Sequence, residues 1–165
     1  MGRQLWVLRH AEAEPHGTRS DSERRLTDRG RAQARAAGAA LARLDVQIEA
    51  VAFSPKARAR ETAEIVVAQW GEARDLLRCH EPLASGFDAG QALELARTLS
   101  ADARLLLIGH EPDLSSVVAD LTGGRVDLKK GGLAVVRLEG VGGELAALIR
   151  PRELALIAGI PVDGH

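Results

Sequence analysis

The sequence predicts a three-layer α/β/α sandwich around a mostly parallel central sheet, with an antiparallel hairpin near one edge. Two observations predict it. Compact apolar runs of strand length alternate with segments whose apolar residues recur at helical spacing. One of these runs, Leu105-Leu106-Leu107-Ile108, is apolar on both faces, as a central parallel strand is. Length bounds the answer: 165 residues suit a single domain, 1–165, able to bury roughly two-thirds of its unfolded surface without a disulfide or metal staple.

The elements follow in order. Residues 4–8 form a compact apolar run, read as a buried strand, that ends abruptly in Arg9-His10. Residues 16–25 are polar and charged, a loop. Thr27 is placed to cap a helix that carries Ala34, Ala37, Leu41 and Leu44 on one face. A second strand, 48–53, closes in Ser54-Pro55, and a helix over 57–70 turns Ala59, Ala63, Val66, Val67 and Trp70 to one side. A short strand at 76–79, a loop at 82–90 and a helix at 91–99 follow. Gly109-His110 ends the strand 105–108, and a helix over 113–121 stops at Gly123-Gly124. Strands at 133–138 and 144–149 flank Gly140-Val141-Gly142-Gly143 as a hairpin, and a helix over 152–158 finishes the chain.

Composition excludes several functions. Lys and Arg total 22 against 23 Asp and Glu, for a net charge of −1, so the chain is no general nucleic-acid coat. Its four aromatic residues, Trp6, Phe53, Trp70 and Phe87, offer no platform for stacking bases. No apolar run approaches the roughly 18 residues a bilayer span requires. Arg3 and Arg9 interrupt the N-terminal apolar stretch at residues 5–8, so no secretory signal is expected. Cys79 stands alone, so a reducing cytoplasm is the expected compartment, and in its predicted strand it reads as a small core residue. His80-Glu81 and His110-Glu111 lack a second histidine four residues on, and no metal is expected.

Functional groups collect where parallel strands end at their carboxyl edge. His10 and His110 directly follow the two clearest buried strands, so both are expected to face one crevice. Arg9 precedes His10, and Arg58 falls in the first turn of the helix after the second strand, near the same edge. Each arginine offers a planar fork that donates two parallel hydrogen bonds to adjacent oxygens. Two arginines and two histidines on one rim make a pocket for a tetrahedral dianion.

At this point the sequence resembles a known family. Leu8-Arg9-His10-Ala11 is similar to the RHG signature of the histidine phosphatase superfamily, with Ala11 where most members have Gly. Residues 26–34, LTDRGRAQA, resemble its L-T-x-x-G-x-x-Q-A segment, and residues 54–62, SPKARARET, its S-P-x-x-R-A-x-x-T segment. Gly109-His110-Glu111-Pro112 resembles the later G-H-x-P motif. The short chain is closest to the SixA-type phosphohistidine phosphatases.

This resemblance implies a phosphoglycerate mutase-like fold and a metal-independent phosphatase without cofactor. It implies that His10 is the nucleophile that becomes phosphorylated and that Arg9, Arg58 and His110 bind the phosphoryl oxygens. It points to Glu81 as the proton donor, with Glu12 and Glu14 in reserve and His16 a solvated loop residue. Lys129-Lys130 is a solvated turn that could steer an anionic substrate. The substrate expected is phosphohistidine on a protein such as a phosphotransfer domain, handled by a monomer with neither nucleic-acid nor membrane partner. A small-metabolite phosphomonoesterase and a non-catalytic module that reads phosphorylated ligands are the alternatives.

Overall fold

The computed structural model describes residues 2–163. In chain order its strands are β1 (Gln4–Arg9), β2 (Ala50–Phe53), β3 (Leu77–Cys79), β4 (Arg104–Gly109), β5 (Leu133–Glu139) and β6 (Gly142–Ile149). Its helices are α1 (Asp28–Arg43), α2 (Ala57–Ala68), α3 (Ala89–Arg97), α4 (Asp113–Thr122) and α5 (Pro151–Ala158). The strands form one sheet in the order β3-β2-β4-β1-β5-β6. The first four of these run parallel; β5 pairs antiparallel with β1, and β6 antiparallel with β5.

Period-two alternation along the central strands divides the core between the two faces of the sheet. Leu5 and Val7 of β1, with Leu105 and Leu107 of β4, pack against Ala92, Leu93, Leu114, Val117 and Val118 from α3 and α4. Leu8, Leu106 and Ile108 point the other way, onto Ala37, Leu41, Ala63, Val66 and Leu154 from α1, α2 and α5. The three layers and the parallel sheet with its edge hairpin are those the sequence predicts. Alanine suits the α1–α2 contact because the helices approach closely: a Cβ on Gly38 would lie 2.5 Å from the Val66 carbonyl oxygen.

The differences are local. Helix α3 begins two residues before 91, because Asp88 and Gln91 form a reciprocal capping box that outweighs the glycine at 90. Inside the expected loop 82–90, a 3-10 turn over Glu81–Ala84 drives Leu83 into the core. Strand β2 starts at Ala50 rather than 48, and α2 ends at Ala68 rather than 70. Cys79 is not a core residue: β3 is a three-residue edge strand paired on one side only, and its thiol is exposed beside Arg60. Among the described residues no helix is long and apolar enough to cross a membrane.

Candidate active site

Register brings the two histidines together. β1 and β4 are hydrogen-bonded neighbours with Arg9 opposite Gly109, so the next residue on each strand is His10 and His110. The His10 amide donates to the Gly109 carbonyl at 3.0 Å, and the ring centroids lie 5.2 Å apart at an interplanar angle of 54°. β4's other neighbour, β2, runs out at the same edge, where the Ser54 amide donates to the Ile108 carbonyl at 3.0 Å. Pro55 then turns the chain into α2, whose first turn carries Arg58.

The loop after His10 is held from two sides. The Ala11 amide donates to Thr62 Oγ1 on α2 at 3.1 Å, and that hydroxyl donates to the Arg58 carbonyl at 2.7 Å. The Glu12 amide donates to Gln33 Oε1 on α1 at 2.9 Å. Thr27 caps α1 by accepting from the Gly30 amide at 3.0 Å, while its hydroxyl donates to Glu12 Oε1 at 2.8 Å. Gly30 is required by close approach, since a Cβ there would sit 2.0 Å from the Glu12 carbonyl oxygen. Ala11 is fully buried, and Asp45 is the one non-glycine residue with positive φ among the described residues. Alanine therefore stands after His10 without backbone strain.

His10 is buried, and its Nδ1 lies 2.7 Å from the Ala11 carbonyl oxygen. A carbonyl can only accept, so the proton sits on Nδ1 and Nε2 keeps its lone pair. Burial, reinforced by the charges of His110, Arg58 and Arg9, pushes the His10 pKa down to about 3, against a smaller upward pull from the Ala11 carbonyl. The His110 pKa is also pushed down to about 3, by burial first and then by Arg58 and Lys56. His110 Nε2 lies 2.7 Å from Ser54 Oγ, which already accepts the Lys56 amide at 3.2 Å. When the serine hydroxyl donates to Nε2, the imidazole proton stands on Nδ1. That Nδ1, Arg9 Nε and Arg58 Nε are buried with no hydrogen-bond partner among the described residues; Arg3 Nε, at the opposite end of β1, is the other such atom.

The charged loop 16–25 is not merely solvated. A 3-10 turn at Asp21–Glu23 lays Asp21 over Arg58, whose guanidinium donates to the Asp21 carbonyl at 2.7 Å and meets its carboxylate at 3.3 Å. Arg24 and Lys56 bind the same carboxylate at 3.0 and 3.1 Å. Burial opposes ionisation of Asp21, but these hydrogen bonds and the Arg58 charge outweigh it and hold the carboxyl far below its ordinary range. Arg24 is itself buried and donates to the Glu14 carbonyl at 2.7 Å. Sequence reading missed Asp21, Arg24 and the Ser54 contact. The only signal for the first two was the density of charge in residues 16–25.

The other candidates fall outside this cluster. Glu81 is exposed in the 3-10 turn that follows β3, at the sheet edge where the His80 amide donates to the Phe53 carbonyl at 2.9 Å. The Glu12 carboxylate is occupied by Thr27 and Arg29, which hold it ionised below its ordinary range. Glu14 binds the Arg25 amide and Arg19, again with its carboxyl lowered. His16 is exposed, 3.9 Å from the Asp21 carboxylate. Lys129 and Lys130 lie beside Arg9 on the rim of a separate recess.

Fold and site together define a class: a phosphoglycerate mutase-like sandwich with a cluster of two histidines and two arginines at the carboxyl edge of its sheet. The chain belongs to the histidine phosphatase superfamily (branch 1), whose profile matches residues 5–81. An uncharacterized protein of Picosynechococcus sp. is 31% identical over 141 residues, spanning 81% of this chain and 84% of that one. The structure of the protein histidine phosphatase SixA complexed with tungstate is 28% identical, covers 92% of this chain and 99% of its own, and superposes with a TM-score of 0.82. The alpha-ribazole phosphatase of Shigella flexneri shares the fold at 19% identity and a TM-score of 0.65, over 90% of this chain and 96% of its own.

Proposed function

We propose that this protein is a phosphohistidine phosphatase that works through a covalent phosphohistidine at His10. One observation carries the reading. Around His10, whose Nε2 is free, Arg9, Arg58 and His110 each bury a nitrogen with no hydrogen-bond partner among the described residues, and a phosphoryl group supplies acceptor oxygens. The similar SixA structure is a complex with tungstate, a tetrahedral oxyanion, which supports oxyanion binding as the task of this cluster.

In the first step Nε2 forms a bond to phosphorus as the bond from phosphorus to the leaving group breaks. Arg9 and Arg58 neutralise charge on the equatorial oxygens and neutral His110 adds a hydrogen bond, at the place where most phosphoryl-transfer catalysis arises. With phosphohistidine as substrate, its ring protonated on the nitrogen that does not bear phosphorus, the leaving group is a neutral imidazole, and transfer between imidazoles is close to balanced in energy. Water then attacks the phosphohistidine, releases phosphate and restores the Nε2 lone pair. Neither step requires a metal or cofactor. The lone cysteine supports a reducing cytoplasm as the place of action.

The test is acid-free rapid quenching with radiolabelled phosphoprotein, sugar phosphate and aryl phosphate. Label is expected on wild type and not on His10→Ala, chelator is expected to change neither, and the phosphohistidine protein is expected to turn over fastest. Label retained by His10→Ala would overturn the scheme. The likeness to alpha-ribazole phosphatase favours a second reading, hydrolysis of a small phosphomonoester, with Glu81 protonating the departing alkoxide. A loss of ester hydrolysis in Glu81→Gln, with no turnover of phosphohistidine protein by either form, would select it.

A further inference from the structure

A recess of about 440 Å³ adjoins the site and shares Arg9 with it. Five further cations line it, Arg29, Lys129, Lys130, Arg150 and Arg152, against one carboxylate, Glu12. These come from three parts of the chain: α1, the loop before β5, and the start of α5. In a protein of net charge −1 this is a marked concentration of positive charge. The loop that carries the lysines is tied to the reactive strand end. The Gly131 amide is within 3.1 Å of both the Arg9 and His10 carbonyl oxygens, and the Arg9 amide donates to the Gly132 carbonyl at 3.1 Å.

Several of these cations are already neutralised. Arg29 pairs with Glu12 at 2.6 Å, Lys129 with Asp127 at 2.7 Å, and Arg150 with Glu153 at 3.1 Å. Lys130 and Arg152 are exposed and make no direct side-chain hydrogen bond or ion pair among the described residues; Lys130 only feels the charge of Glu12 and Arg152 that of Glu153, which leaves their donors open to a ligand. The lining holds no aromatic side chain on which a base could stack, and its one apolar side chain is Pro151. The outer cations are also well exposed, with Lys129 and Arg150 side chains 63% and 61% accessible. Solvated cations of this kind hold a compact phosphate poorly, yet together they attract and orient a carboxylate-rich surface.

We propose that this recess is a docking subsite for acidic side chains that flank the phosphohistidine on a protein substrate. The inference rests on the phosphohistidine reading above. It makes Lys130 and Arg152 specificity residues that act before the chemical step and leave the chemistry itself untouched.

The test uses a histidine peptide phosphorylated with phosphoramidate, once with Asp and Glu flanks and once with Ser and Asn, and p-nitrophenyl phosphate as a flank-free control. Wild type is expected to favour the acidic peptide in kcat/KM by about tenfold or more at low salt, with the preference fading as salt screens it. In Lys130→Glu/Arg152→Glu the preference is expected to invert, while turnover of p-nitrophenyl phosphate stays unchanged. Equal rates on the two peptides, or a preference that survives charge reversal, would overturn the subsite and leave the phosphohistidine reading intact. Failure to cleave either peptide, with p-nitrophenyl phosphate still hydrolysed, would remove the phosphohistidine reading and the subsite with it.

Discussion

At the scale of single residues, the site depends on imidazoles kept neutral by their surroundings. kcat/KM reports the ionisations of the free enzyme, so its acid limb, corrected for the substrate's own titration, is expected well below pH 5. A limb centred near 6.5 in a pH–rate profile would show that the histidines titrate as ordinary ones. Arg58 is held by Asp21 in a geometry that lysine cannot copy, because a point charge replaces a fork. Arg58→Lys is expected to lower kcat about 10²-fold while circular dichroism and melting stay near wild type. A variant retaining more than half of wild-type kcat would remove Arg58 from the transition state. That the four residues gather at one sheet edge was legible because each closes or follows a strand or opens a helix. Asp21 and Arg24 were not, because a charged loop reads as solvated until its tertiary counter-charge is known.

At the scale of elements, the matched residues Thr27, Gly30, Gln33 and Thr62 stand outside the histidine–arginine cluster; they hold the backbone of residues 11 and 12. Gly30→Ala forces α1 away from the Glu12 carbonyl, and about 1–3 kcal/mol of stability is expected to be lost together with activity. Gly90→Ala is the matched control: it opens α3 with its nearest new contact at 3.4 Å, and it is expected to be neutral or slightly stabilising. Denaturant melts of the two variants check both expectations, and equal effects would show that close approach is not the reason for glycine at 30. Thr62→Val leaves the Ala11 amide without its acceptor and is expected to cost about 1–3 kcal/mol, with Thr62→Ser recovering most of it. The sequence pattern marked these positions, but the reason for each lies in contacts between segments far apart in the chain. Cys79 was misread because a three-residue run does not reveal that its strand lies at an edge.

For the whole molecule, alternation of apolar runs and helical segments made the layered sandwich and its parallel sheet legible. Strand order was not, since 4–8 and 105–108 are both apolar enough for the centre and only the ladder shows that they are neighbours. Global stability carries the signature of the buried histidines. Unfolded imidazoles bind protons near pH 6.5, while the folded pair resists until about 3, so between those values the unfolded chain holds more protons. Unfolding free energy is therefore expected to fall as pH drops from 6.5 and to recover as pH rises back. Urea melts between pH 6.5 and 5, above the carboxylate range, should show a shallower slope for His10→Gln/His110→Gln than for wild type. An unchanged slope would place the proton uptake elsewhere. The pairing of Arg9 with Gly109 also makes the gap between the two rings a repeat distance of the backbone lattice. That gap changes in whole steps: deleting one residue from β1 would turn the His10 imidazole toward the opposite helical layer, and no rotamer could return it.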